Sequence, residues 1–175
     1  MIIIIEKEIL CFDTFVETHS IMPSIETLIK QSKFRDEKHK AVISILYTAN
    51  ALNNFHENYF SKYQLTSQQY NALRILRGQY PKPATVNLIR ERLMDKMSDA
   101  SRIVERLRKA GFVERIKSKI DKRAVDVMIT QKGLDVMAEI DLQDEKIDSP
   151  TRYLSQDEAN ELSRLIGKVI DALVE

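Results

Sequence analysis

Residues 98–133, SDASRIVERLRKAGFVERIKSKIDKRAVDVMITQKG, spell a short helix, a stop, a strand, a charged tip and a second strand. Ser98 is placed to cap the helix, because its hydroxyl can accept from an orphan N–H of the first turn. Ile103, Val104 and Leu107 follow at helical spacing on one side. Gly111 ends the helix, since glycine accepts the left-handed backbone common at a helix C-terminus. Residues 112–116 read as a strand. In residues 125–129, Val125, Val127 and Ile129 alternate with Asp126 and Met128, the period of a half-buried strand. The tip between them, residues 117–122, is charged and lacks glycine. Thr130 restarts a helix that holds Leu134, Met137 and Ile140. A helix followed by such a hairpin is the layout of a recognition helix and a β-wing. It predicts a protein that reads double-stranded DNA.

The chemistry of the stretch agrees with that layout. A reading helix enters the major groove by its N-terminus, so that end needs small or polar residues. Ser98, Asp99, Ala100 and Ser101 meet the requirement. Small side chains permit close approach, and free N–H groups at a helix start can hold a phosphate. Arg102 follows on the exposed side, in reach of guanine O6/N7 or a phosphate. Arg106 lies one turn later on the same face, with Arg108 and Lys109 at the end. Asp99 is expected to accept from a cytosine amino group or to orient a neighbouring arginine. In the hairpin, Lys117, Lys119, Lys122 and Arg123 put four cations at or near the tip. Arg123 is the one best placed for a minor groove, where narrow A·T tracts concentrate negative potential. Asp121 reads either as a brace for Arg123 or as a turn residue.

Charge is segregated around this stretch. Residues 74–123 hold 15 Lys/Arg and 6 Asp/Glu, a balance of +9, while the remainder holds 12 and 20, a balance of −8. The net charge of +1 therefore conceals one continuous basic region in an otherwise acidic chain. Such a distribution points to a polyanion-binding face rather than to general stickiness.

Working outward, the chain is helical. With 4 Gly, 4 Pro and no Trp in 175 residues, little is available to punctuate many short strands. Residues 1–33 are irregular in pattern and form an N-terminal extension, in which residues 24–31 could make a short helix. Residues 34–65 contain a long helix with Val42, Ile45, Leu46, Ala49, Leu52, Phe55 and Tyr59 at spacings of three and four. Residues 66–133 form the reading unit. Thr66 and Gln69 make a capping box for a helix carrying Tyr70, Leu73 and Leu76. Thr85 caps the next helix, and a turn at residues 95–97 leads to the recognition helix, as in a helix-turn-helix. Residues 134–175 end in a helix introduced by a Ser155/Glu158 capping box and striped with Leu162, Leu165, Ile166, Val169, Ile170 and Leu173. The long helices outside the reading unit are expected to pack together and against a second copy. The expected fold is mainly α with a small β-wing: a winged helix-turn-helix with long N- and C-terminal dimerisation helices, residues 34–65 and 134–175 forming one compact domain.

The pattern Asp121-x-Arg123-x-Val125-x-Val127-x-Ile129-Thr130-x-x-Gly133 resembles the wing signature of the MarR family of bacterial transcription regulators. The preceding Ser101-Arg102-Ile103-Val104-x-x-Leu107-x-x-x-Gly111-x-Val113-x-Arg115 is similar to its recognition helix and first wing strand. The resemblance covers the chain from about residue 34 onward. It implies a winged-helix homodimer, with the terminal helices forming the dimer interface, on a pseudo-palindromic operator; a repressor is expected rather than an activator. Departures are the first thirty or so residues and the longer, proline-rich connection at residues 78–84.

Other chemistries find no support. His19, His39 and His56 have no i, i+4 partner and no cysteine companion, so no metal site is expected. No phosphate loop, nucleophile motif or Cys–His arrangement is present, so neither an enzyme nor a cofactor is expected. Cys11 lies well before the long helix and stands as a poor thiol switch. As the single cysteine, it excludes an intrachain disulfide and fits the cytoplasm. The opening MIIIIEKEILCF is a poor signal peptide and too short to span a bilayer, so no membrane partner is expected. It reads as a short packing segment, or as an artefact if translation begins at Met22. Tyr47, Tyr59, Tyr63 and Tyr70 could line a pocket for a small-molecule effector, or serve as core and interface aromatics. An alternative function is a winged-helix interaction module whose basic face meets an acidic protein.

Overall fold

The computed structural model describes residues 23–117 and 125–174. The chain divides into two compact units, one ending at Leu46 and the other beginning at Tyr47, so the boundary falls inside the long helix α2 (Glu37–Ser61). In the first unit, α1 (Ile25–Ile29) is capped by Ser24, and Lys30 closes it in the left-handed region at φ 55°. Asp36 accepts from the N–H of His39 at 2.7 Å and so starts α2. Glu26 pairs with Lys40 at 2.6 Å, a contact that holds the Glu26 carboxyl below its ordinary pKa.

The second unit carries the remaining elements. The end of α2 is followed by α3 (Ser67–Gln79), β1 (Ala84–Thr85), α4 (Val86–Arg92) and α5 (Ala100–Lys109). Then come β2 (Val113–Lys117), β3 (Val125–Ile129), α6 (Gln131–Asp141), the short α7 (Asp144–Ile147), a 3-10 turn (Ser149–Thr151) and α8 (Gln156–Val174). Capping chemistry sets most helix starts. Thr66 and Gln69 form both bonds of the expected capping box, Thr85 accepts from Leu88 N–H, and Ser155 and Glu158 bond reciprocally. One apolar face from each of α3, α4, α5 and α6 meets the sheet. Leu73, Leu76, Ile89, Leu93, Val104, Leu107, Val113, Val127, Met137 and Ile140 are buried there.

The sheet has three antiparallel strands in the order β1-β3-β2, where a two-stranded hairpin was expected. Ala84 pairs with Val127 and Thr85 with Asp126, while β2 pairs along β3 from Val113↔Ile129 to Lys117↔Val125. A two-residue strand has no periodicity to detect; its partner is supplied only by the fold. This third strand also changes the environment of Asp126. The alternating pattern put Asp126 on the outward face of β3, yet it is buried between Thr85 and Ile116, and its Oδ1 has no hydrogen-bond partner among the described residues.

Thr130 and Gly133 join the wing to α6. The Thr130 hydroxyl donates to the Gly111 carbonyl at 2.8 Å and accepts from Gly133 N–H at 3.2 Å. Thr130 N–H bonds the Phe112 carbonyl at 3.0 Å. Gly111 takes φ +79°, which favours glycine, and Gly133 packs so tightly that a Cβ would meet Phe112 O at 2.4 Å. The apolar stripes outside this core are only partly covered among the described residues. No residue of α8 is buried, and Leu162, Leu165, Val169, Ile170 and Leu173 are between 39% and 80% exposed. In α2, Val42, Leu46 and Tyr47 are exposed, and only Tyr59 and Phe60 are buried.

Candidate nucleic-acid interface

Helix α5 presents two chemically distinct sides. Ala100, Ile103, Val104 and Leu107 are buried, which fixes the rotation of the helix on the core. Arg102 and Arg106, four residues apart and therefore one turn apart on one face, are exposed. Among the described residues neither has an ion-pair partner. Arg108 differs: Glu105 holds it through two bonds at 3.1 and 2.9 Å and also pairs with Arg115 at 3.4 Å. The Arg108 hydrogen bond, ahead of the coulombic contributions of Arg108 and Arg115, lowers the Glu105 pKa. Lys132 is likewise engaged, donating to the Ala110 carbonyl at 2.7 Å over the Phe112 ring. Arg102 and Arg106, with Lys109 at the helix end, are thus the cations of this helix left without an ion-pair partner among the described residues.

The helix start is built differently from the sequence expectation. Asp99, not Ser98, is the N-cap: its carboxylate accepts from Arg102 N–H at 3.1 Å. Ser98 precedes the cap and donates to Asp95 Oδ2 at 2.6 Å, while Asp95 Oδ1 accepts from Met97 N–H at 2.9 Å. Asp95 wins Ser98 because it can take a hydroxyl and an amide at once, closing the turn. These bonds, the Ser98 hydroxyl first, hold the Asp95 carboxyl below its ordinary pKa. Asp99 has one oxygen committed to the helix start. Ala100 is 3% exposed and packs in the core, so its place among the surface-reading residues is also corrected. Ser101 is exposed beside Arg102, and Lys117 is exposed at the end of β2. Lys119, Asp121, Lys122 and Arg123, like Cys11 and His19, lie outside the described residues.

The family model described as MarR family matches residues 65–125, which span α3 to the first residue of β3. The transcriptional regulator MgrA of Staphylococcus aureus is 31% identical over 139 residues, covering 79% of this chain and 92% of MgrA. The chain belongs to the MarR family. The structure of a MarR transcription factor from Planctomyces limnophilus is 28% identical, with a TM-score of 0.59 over 77% of this chain and 98% of that one. A mutant MarR of E. coli complexed with operator DNA shares the fold at a TM-score of 0.66 and 24% identity, over 79% of this chain and 99% of that one. As a MarR-family winged-helix protein, this chain is a DNA-binding transcriptional regulator and not an enzyme.

This MarR-family chain also has a cleft of about 480 Å³ that sequence reasoning did not locate. Its lining includes His56, Phe60, Tyr70, Asn71 and Arg74. Phe60 and Tyr70 stack at 4.0 Å, and the Arg74 guanidinium lies 5.9 Å from the Tyr70 ring centre. Ser67, Asn71 and Arg74 repeat along one face of α3, a polar stripe that was legible but had no known wall to face. Of the four tyrosines that could either line a pocket or serve as core and interface aromatics, Tyr70 lines the cleft; Tyr59 and Tyr63 pack against each other with ring centres 5.9 Å apart, and Tyr47 is exposed. The cleft also touches the turn before α5 through Met94, Asp95 and Ser98. Asn71 accepts from Met94 N–H at 3.0 Å. Among the described residues no His/Cys/Asp/Glu group could hold a metal ion, and no helix is long and apolar enough to cross a membrane.

Proposed function

We propose that this protein is a homodimeric, sequence-specific repressor of transcription that binds a pseudo-palindromic operator from the cytoplasm. The observation that carries the reading is the pair Arg102 and Arg106: both exposed on α5, both without an ion-pair partner among the described residues, on a helix whose other side is locked in the core. Each α5 enters a major groove by its N-terminus, with Ser101 and Arg102 at the base edges and half-sites about one helical turn apart. Lys117, with the tip residues Lys119, Asp121, Lys122 and Arg123, lies over the flanking minor groove. Residues 66–133 do the reading, and residues 34–65 and 134–175 serve dimerisation. The α8 stripe supports the second copy, because a face of five exposed aliphatic side chains on one helix is costly to leave in water.

The cleft serves a small-molecule effector. Its stacked Phe60 and Tyr70 suit a small aromatic ligand. Differential affinity for two arrangements of the reading units would then change the fit to half-site spacing. Selection of bound duplexes from a random pool tests the function. Two inverted half-sites about one turn apart are expected; recovery of unrelated sequences, or of none, overturns sequence-specific reading.

A further inference from the structure

The turn between α4 and α5 carries two methionines that folding does not use. Met94 is 84% and Met97 93% exposed, and Met97 is the most exposed large hydrophobic residue among those described. Around them the backbone is tied down. Met94 N–H bonds Asn71, Met97 N–H bonds Asp95 Oδ1, and the Ser98 hydroxyl bonds Asp95 Oδ2. Lys96 donates to the Glu91 carbonyl from the same turn. A mobile surface loop would not need these braces, and a packing residue would not be left in water.

Met97 stands two residues before the Asp99 cap, at the end of α5 that a reading helix inserts into the major groove. A methionine there has no donor or acceptor for base edges. It has an unbranched, polarisable apolar side chain. The one apolar group that a major groove offers is the C5-methyl of thymine. Arg102 can read guanine or phosphate, so an apolar reader beside it supplies a different part of the code.

We propose that Met97 is a specificity-determining residue that recognises a thymine methyl group in each half-site. This rests on the DNA-reading function proposed above. The braced turn sets the Met97 backbone before binding, so little backbone order is lost when the side chain meets the base.

The test uses the full chain and the duplexes that the wild-type protein selects from a random pool. Each thymine of a half-site is replaced in turn by deoxyuridine, which removes only the methyl. Fluorescence anisotropy then gives affinities for wild type and for Met97→Ala. At one position per half-site the wild type should lose about fourfold, the factor expected from burying one methyl-sized group. Met97→Ala should bind the thymine and uracil duplexes equally at that position. Its thermal unfolding followed by circular dichroism should match wild type, which shows that the variant is folded. An undiminished thymine preference in Met97→Ala, no uracil-sensitive position, or selected half-sites without thymine each overturns the assignment while leaving DNA reading intact. Failure to select any duplex overturns both.

Discussion

Gly133→Ala tests the packing that seats the wing on α6. An added Cβ would lie 2.4 Å from the Phe112 carbonyl oxygen and 2.6 Å from Ile129 Cγ1. Ordinary contact begins near 3.4 Å, so backbone or a β-branched side chain must move by about 1 Å. Neither yields cheaply: the Phe112 carbonyl also accepts from Thr130 N–H at 3.0 Å, and Ile129 is buried in the sheet. Overpacking costs about 1–3 kcal/mol, and loss of the Phe112–Thr130 bond adds about 1 kcal/mol. The helix preference for alanine offsets up to about 1 kcal/mol. The net expectation is a loss of about 1–3 kcal/mol, a fall of about 2–4 °C in Tm for each kcal/mol in a chain of this size. Gly78→Ala is the control, because it lies in α3 with nothing within 4 Å of its added Cβ. The same methyl should there stabilise by up to about 1 kcal/mol. Urea unfolding at one fixed protein concentration measures both. If Gly133→Ala were as stable as wild type, or Gly78→Ala fell by the same amount, the close approach would not be what requires glycine at position 133.

Arg102→Ala should reduce operator affinity by about 1–3 kcal/mol if Arg102 reads a base; an unchanged gel-shift titration would remove it from the interface. Lys117→Ala should weaken all duplexes alike and lower the salt slope by about one, so a loss confined to one sequence would show that Lys117 is not a phosphate contact. Leu165→Glu in α8 should shift the protein to monomer in sedimentation equilibrium without unfolding it, since Leu165 is exposed in the single chain; an intact dimer would place the interface elsewhere. Ser98→Ala removes the leading cause of the low Asp95 pKa, so this carboxyl should titrate at higher pH by NMR. A carboxyl depressed on folding stabilises above its unfolded pKa and loses that contribution as pH falls through the folded value. The wild-type turn should accordingly loosen only in acid below the ordinary aspartate range, and the variant earlier; identical titration curves would mean that the Ser98 bond does not form in solution.

Much of the fold was legible because it is written in short-range chemistry. The boxes Thr66/Gln69 and Ser155/Glu158, the Thr85 cap and the apolar spacing of Ile103, Val104 and Leu107 depend on residues three or four apart. Sequence shows such neighbours directly. Thr130 and Gly133 could likewise be recognised as a pair, although the carbonyls they meet, Gly111 and Phe112, explain them only in three dimensions. The choice of cap was a competition: Ser98 and Asp99 are both good caps, and Asp95 decided it by engaging Ser98.

The sequence by itself determined most helix starts, the wing strands, the segregation of basic charge and which side of α5 faces out. These follow from local hydrogen bonding, from periodicity and from counting. Tertiary structure alone decided the third strand Ala84–Thr85, the burial of Asp126 and of Ala100, and the cleft that brings His56, Phe60, Tyr70 and Arg74 together. It also decided which arginines are tied down by Glu105 and which stay exposed for a polyanion. Each of these depends on groups far apart in the chain or on the competition of several donors for one acceptor, and neither leaves a pattern along the sequence.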